Sequence, residues 1–429
     1  MYKRQVPALV PGRRYLLELV VRTLGALGHE YTQGTADSNE TWIDVTVRCG
    51  DRVIGRSGGI AGDTSVDPWS KFLNVYMLDR EGRRIDRRNP QDIFVPLYNH
   101  QVPPGAADLT RVAFELPPDA SGPVVVEASV RYRKFDANYM RYVFGPDRRD
   151  DLHVMTLASD RVVFGGDGAA AAGAAPVADA ERWLDAGIAH FRTASRAPGK
   201  GQWGLVDQLF ARAADAGRVE GWLGRARSAL LDGRLADAVD HLRTAAAKHP
   251  GEIPWAITYW SAVVDLQQGE YERAIEGFRR VSSTEFPDAR ARGFDFARDD
   301  RVLVEWATAC LERARQLRDP AMDARRRELF AEAERLTGRA IAEDSQRSQT
   351  WYVRAQALES LGDSAGASAA REAYERYRPD DNARDRAVRL ARERDRAADH
   401  AAEPSAIFDL QRAGAPGLPG AQAAPEAGR

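Results

Sequence analysis

WLGRARSALLDGRLADAVDHLRTAAAKHP, residues 222–250, and WYVRAQALESLGDSAGASAAREAYERYRP, residues 351–379, carry the same landmarks at the same offsets. Each opens on Trp (Trp222, Trp351). Ala follows four residues on (Ala226, Ala355), Gly eleven on (Gly233, Gly362), Ala sixteen on (Ala238, Ala367) and Pro twenty-eight on (Pro250, Pro379). A helix starting near the Trp needs a small residue where its partner crosses, a Gly to turn the chain, a second small residue on the returning helix, and a Pro to stop it. The register therefore predicts paired antiparallel helices.

The offsets are those of the tetratricopeptide (TPR) repeat. Between the two clear copies, Gly269, Tyr271, Ala274 and Phe278 fill the turn, aromatic, small and aromatic positions of another unit, led by a first helix through Ala262. A further second helix runs through Ala333, Thr337 and Ala340. Placing the stops at Pro250, Phe286, Ser345 and Pro379 gives steps of 36, 59 and 34 residues. One unit thus exceeds the usual period of about 34 by roughly 25 residues, an insertion near residues 287–323. Upstream, Trp183–Ala194 and Leu205–Ala214 read as a degenerate pair. The expectation is an all-α TPR-like solenoid over residues 179–396, with about five helix pairs and a C-terminal helix from Asp381 to Arg396 capping the stack.

Before residue 165 the period changes. Tyr15–Arg22, Thr41–Arg48, Phe72–Leu78, Arg111–Leu116 and Val124–Tyr132 alternate apolar and polar residues or are rich in β-branched and aromatic types, as strands are. Turn chemistry such as Asp79-Arg-Glu-Gly82 separates them. Residues 1–164 are expected to form an immunoglobulin-like antiparallel β-sandwich. Residues 165–178, rich in Gly and Ala, read as a linker, and residues 397–429 as an extended or disordered tail.

With 429 residues, 44% hydrophobic and 29% charged, the composition describes a globular chain of two domains. A formal net charge of -2 gives no general attraction to nucleic acid or anionic membrane. Cys49 and Cys310 belong to no Cys-x-x-Cys pair and read as free thiols. No run of 18 apolar residues is present, and the first residues lack the apolar core of a secretion signal, so the chain taken as complete reads as cytoplasmic.

The Trp, Ala, Gly and aromatic landmarks read as packing between helices. Ligand contacts are expected one and five positions beyond the Trp, on the concave face, which nominates Leu223, Arg227, Tyr259, Tyr352 and Gln356. The Lys and Asn with which a TPR groove clamps a C-terminal carboxylate are missing there. No catalytic residue is nominated: Ser57-Gly-Gly lacks the Gly two residues before a nucleophile-elbow serine. Asp37, Asn39, Glu40 and Asp44 do not follow an EF-hand spacing and read as a polar turn, so no metal site is assigned. The arginines from Arg384 to Arg396 are interrupted by Asp385, Glu393 and Asp395 and read as a solvated face.

GALGHEYTQGTADSNETW (25–42), VIGRSGGI (53–60), NHQVPPG (99–105), YRKFDANYMRYVF (132–144), VMTLASD (154–160), YRPDDNARD (377–385) and DHAAE (399–403) together resemble the region that follows the haem-binding part in bacterial multihaem c-type cytochromes fused to TPR repeats. The chain has no Cys-x-x-Cys-His motif, so the resemblance assigns it no haem of its own and places haem c in an upstream or partner module. It implies the periplasm, a multihaem cytochrome domain as partner alongside a protein bound by the TPR groove, and a scaffold role in electron transfer. It also nominates His29 and His100 as distal haem ligands to that module, against the plainer reading that each fixes a loop.

Overall fold

The computed structural model describes residues 9–23, 29–32, 38–165, 178–197 and 201–419. The chain forms two compact units, one of residues up to Gln202 together with Asp381 onward, the other Trp203–Asp380. Most of the 165–178 linker, the quoted residues 25–28 and 33–37 with Asp37, and the last ten residues of the tail lie outside the described residues.

The first unit holds β1 (Arg14–Arg22), β2 (Glu40–Cys49), β3 (Arg52–Ser57), β4 (Val75–Leu78), β5 (Val95–Asn99), β6 (Ala107–Glu115), β7 (Val124–Arg133), β8 (Met155–Phe164) and β9 (Ile407–Asp409). Strand orders are β1-β6-β9, β3-β2-β7-β8 and β4-β5. Period two sets the faces: along β1, Tyr15, Leu17, Leu19 and Val21 turn to a core containing Val45 and Val47 of β2 and Val112 and Phe114 of β6, while the residues between them are exposed. The β-rich half is thus as expected, but an immunoglobulin-like sandwich has two antiparallel sheets. Here the described strands form three, and β9 runs parallel to β6. In the Phe72–Leu78 stretch only Val75–Leu78 is strand; Phe72 contributes an isolated bridge to Trp42. A short helix, α1 (Ala137–Phe144), follows β7, with the Asp136 side chain accepting from the Tyr139 amide at 2.7 Å.

Two expectations about domain limits are corrected. The helix α2 (Asp179–Ser195), assigned from sequence to the repeat, packs on β6 and β1; its Ala189 is sealed against Ala107 and Leu109, and its His190 meets Glu18 at 3.1 Å. An amphipathic stripe shows that a helix covers a core without saying which one.

The second unit contains α3 (Trp203–Asp215), α4 (Val219–Leu231), α5 (Leu235–Lys248), α6 (Pro254–Gln267), α7 (Tyr271–Ser283), α8 (Pro287–Ala291), α9 (Asp300–Gln316), α10 (Asp323–Glu343), α11 (Ser348–Leu361) and α12 (Ser364–Tyr377). Contacts run in succession, α3 on α4, α4 on α5, α5 on α6, α6 on α7, α7 on α9, α9 on α10, α10 on α11 and α11 on α12, which is a helical repeat. The predicted glycines make the turns. Gly233, Gly269 and Gly362 have φ of 78°, 79° and 86°. In each case the next amide donates five residues back: Arg234 to Ala229, Glu270 to Asp265, Asp363 to Leu358, at 2.8 to 3.0 Å. This is the closure expected of glycine after a helix end. Gly217, between α3 and α4, does the same through Arg218 and Ala213.

The insertion is smaller than the sequence implied. Only α8 and its flanking turns, up to Asp299, stand outside the pairs, whereas α9 is a first helix in its own right. The rest of the excess is helix length, 17 and 21 residues in α9 and α10 against 14 and 13 in α6 and α7. The turn from α9 to α10 uses Asp319, which accepts from the Ala321 amide at 2.9 Å, in place of a glycine. No landmark therefore marked it. Five pairs become four, with α3 as a single helix before them, once α2 is removed.

The tail is corrected likewise. The C-terminal helix expected to cap the solenoid, α13 (Asp381–Arg394), lies with α14 (Arg396–Ala402) and β9 in the first unit, where Ala391, Ala398, Ala401, Phe408 and Leu410 join the β core. Gly82 shows how closely α13 sits: it has φ 70°, and a Cβ there would be 2.4 Å from the Ala387 carbonyl oxygen.

Candidate functional site

The first helices α4, α6 and α9 bring together three of the nominated side chains and two that were not foreseen. Leu223 packs beside Ala226 and Leu242. One turn on, Arg227 carries its guanidinium over the Trp260 ring, 4.8 Å from the centroid. Burial pulls the Arg227 pKa down, and nearby Tyr259 partly opposes that. Tyr259 stands edge-on to Trp260 at 5.2 Å and to Phe278 at 6.2 Å. Its hydroxyl is bonded to the Glu305 carboxylate on α9; burial and then that negative charge push the phenol above its ordinary range. Burial likewise raises Glu305, with the Tyr259 bond working against it. The result is a row from Arg227 through Trp260 and Tyr259 to Glu305, cation, indole, phenol and carboxyl, all partly buried.

Tyr352 and Gln356 lie in another patch. Tyr352 is exposed and tilts against Tyr374 of α12 at 5.6 Å; the Gln356 carbonyl oxygen accepts from Arg315 of α9. Gln356 Nε2 also donates to the Tyr352 carbonyl at 3.4 Å. Sequence reasoning missed Trp260 because it follows the nominated position by one residue. Glu305 was missed because α9 had been taken as insertion. The Tyr259-Trp260 doublet was the available signal.

Landmark tryptophans sit at the edge of the packing, not in its centre. Trp351 Nε1 donates to the Ser345 carbonyl at 2.9 Å, and Trp222 lies under Lys248 at 4.8 Å and Arg225 at 5.2 Å. The small landmarks are the buried ones: Ala226, Ala238, Ala274, Ala355 and Ala367, with Phe278.

In the first unit the two histidines differ. His29 is exposed, with Nδ1 3.0 Å from the Glu30 carbonyl. His100 is buried and stacked on Tyr98 at 4.3 Å, and its Nδ1 lies 3.1 Å from the Phe72 carbonyl, so Nδ1 carries the proton. Burial, reinforced by Lys71, pulls the His100 pKa well down and keeps the ring neutral. Glu40 and Asp44, expected in a polar turn, lie instead in strand β2 and are tied up in ion pairs: Glu40 and Asp150 both meet Arg133, and Asp44 meets Arg56. Among the described residues no group of three His, Cys, Asp or Glu side chains is placed to hold a metal ion.

The chain is, by architecture, a β-rich unit joined to a helical repeat with a polar and aromatic row on its first helices. No family model matches it, and no curated protein does. Among solved structures it is similar to MamA AMB-1, at 16% identity over 46% of this chain and 96% of that one, and to MamA from Desulfovibrio magneticus RS-1, at 13% identity over 45% and 95%. The TM-score is 0.33 in both.

Proposed function

We propose that the helical repeat is a non-catalytic protein-binding module whose first-helix row receives a protein partner, and that the chain serves as a scaffold for a multihaem cytochrome electron-transfer system. The observation that carries the first part is the row Arg227, Trp260, Tyr259 and Glu305. A guanidinium on an indole and a phenol beside a carboxyl are the amphipathic groups enriched at the energetic centres of protein interfaces. The cytochrome association rests on the sequence resemblance, and with it the periplasm as the compartment.

The test uses the full chain, immobilised and offered the envelope fraction of its source cell. A partner recovered by wild type and lost by Arg227→Glu and Tyr259→Ala supports the reading. Identical recovery by all three sinks it. In the second reading the β-rich unit contacts haem of a partner module, and exposed His29 is then the better ligand, since His100 is committed to Phe72 and Tyr98. A His29→Ala chain that leaves the low-spin bands of an added c-type multihaem module unaltered relative to wild type removes that reading.

A further inference from the structure

The first unit contains a cleft of about 520 Å³, a size typical of small-molecule sites, between β5, the start of β6, the end of α2 and the loop from α14 to β9. At one end three cations surround one carboxylate. Lys71 Nζ is 3.1 Å from Asp108, Arg192 is 3.6 Å away and Arg196 3.7 Å away. Lys71 and Asp108 are both buried. Arg192 uses its fork on the Ala107 and Gln101 carbonyls at 2.9 and 2.7 Å. Arg196, about a third exposed, makes no side-chain hydrogen bond among the described residues. Two further carboxylates reach the rim. Glu403 is held by Arg392 at 2.8 Å, and Glu30 is exposed. His100 is neutral here, for the reasons above.

A buried cation retained in a cleft requires a counter-charge, because desolvation penalises it strongly. Asp108 faces all three and Glu30 acts on Arg192 from the rim, which leaves one cation more than these two carboxylates balance. Leu97, Ala406 and Phe408 add apolar wall to the same cleft. We propose that this cleft binds a small amphiphilic anion, its carboxylate or phosphate head on Lys71 and Arg196 and its hydrocarbon body against Leu97 and Phe408. The site is independent of the groove on the helical repeat. Arg196 supplies the free donors, and its planar fork suits either oxyanion.

Calorimetric titration of the full chain with octanoate, octyl phosphate below its micelle concentration, octanol and inorganic phosphate tests this. Saturable binding of one octanoate or octyl phosphate per chain is expected, with octanol and inorganic phosphate each at least about 10-fold weaker. The tighter of the two amphiphiles identifies the head. Arg196→Gln, at a partly exposed position, should weaken the amphiphilic anions about 10-fold and leave octanol unchanged, while Arg196→Lys restores part of the loss. Octanol binding as tightly as octanoate, inorganic phosphate binding as tightly as octyl phosphate, an Arg196→Gln chain that binds like wild type, or no saturable binding of either amphiphile would each overturn the proposal.

Discussion

The guanidinium of Arg227 on α4 lies 4.8 Å from the centre of the Trp260 ring on α6, linking two successive helix pairs by a cation-π contact. Such a contact is worth about 0.5–2 kcal/mol, rising with desolvation. A double-mutant cycle of Arg227→Ala and Trp260→Leu, followed by urea unfolding, should return a coupling energy in that range. Additivity within error would show that the two side chains merely adjoin.

The turn glycines make the second prediction. At Gly269, φ of 79° is a conformation that a Cβ disfavours. Gly269→Ala should therefore destabilise the repeat by about 1 kcal/mol, and Gly269→Asn by less, since Asn tolerates this region. Chemical denaturation monitored by far-UV circular dichroism measures both.

Burial of the C-terminal segment in the β core makes the third. Phe408 is buried beside Ala398 and Leu410, and its truncation to Ala should destabilise the first unit by about 3–5 kcal/mol. Gly82→Ala must displace the backbone of α13 at Ala387. Both variants should expose residues 381–419 to limited proteolysis before the repeat is cut. Cleavage at the wild-type rate would show that the segment is not held there.

Arg133 is almost wholly buried between Glu40 and Asp150, so Arg133→Met leaves two buried carboxyls without their cation and should destabilise by about 3–5 kcal/mol. Burial outweighs the pull of Arg133 and pushes the Glu40 carboxyl up to about 7 from an ordinary value of 4.5. Between those values the folded chain holds a proton that the unfolded chain has released. The contribution of Glu40 to stability is therefore present below pH 4.5 and is lost as pH rises toward 7, at about 1 kcal/mol per unit. Thermal melts across that window should be flatter for Glu40→Gln than for wild type.

Cys310 is buried in the repeat, and burial pushes its thiol up to about 12. At pH 8 its thiolate fraction is then about 1000-fold below that of a free cysteine. A thiol reagent such as DTNB should leave it unlabelled in the native chain and react once the chain is unfolded in urea. Rapid native labelling would contradict the burial.

What could be read in advance followed from local stereochemistry. Gly233, Gly269 and Gly362 announce the turns because only glycine takes their backbone angles freely, and the alternation of Tyr15, Leu17, Leu19 and Val21 marks a strand with one buried face. Elements without a local signature were missed. β8 is largely exposed on both faces and shows no alternation, β5 contains Pro96, and the α9 turn has no glycine. The candidate row was half legible, since Arg227 and Tyr259 follow from repeat phase but Glu305 needed the phase of α9.

The sequence by itself determined the two kinds of structure and the repeat's phase, because helix ends, turns and face periodicity are set by residues a few positions apart. Only the tertiary structure decided which core each amphipathic element covers. It gave α2, α13, α14 and β9 to the β-rich unit, across gaps of up to 357 residues as in the bond from Gln411 Nε2 to the Ile54 carbonyl. It likewise gathered Lys71, Asp108, Arg192 and Arg196 into one cleft. Burial of apolar surface is non-directional, so its destination is fixed by the whole packing and not by any local pattern.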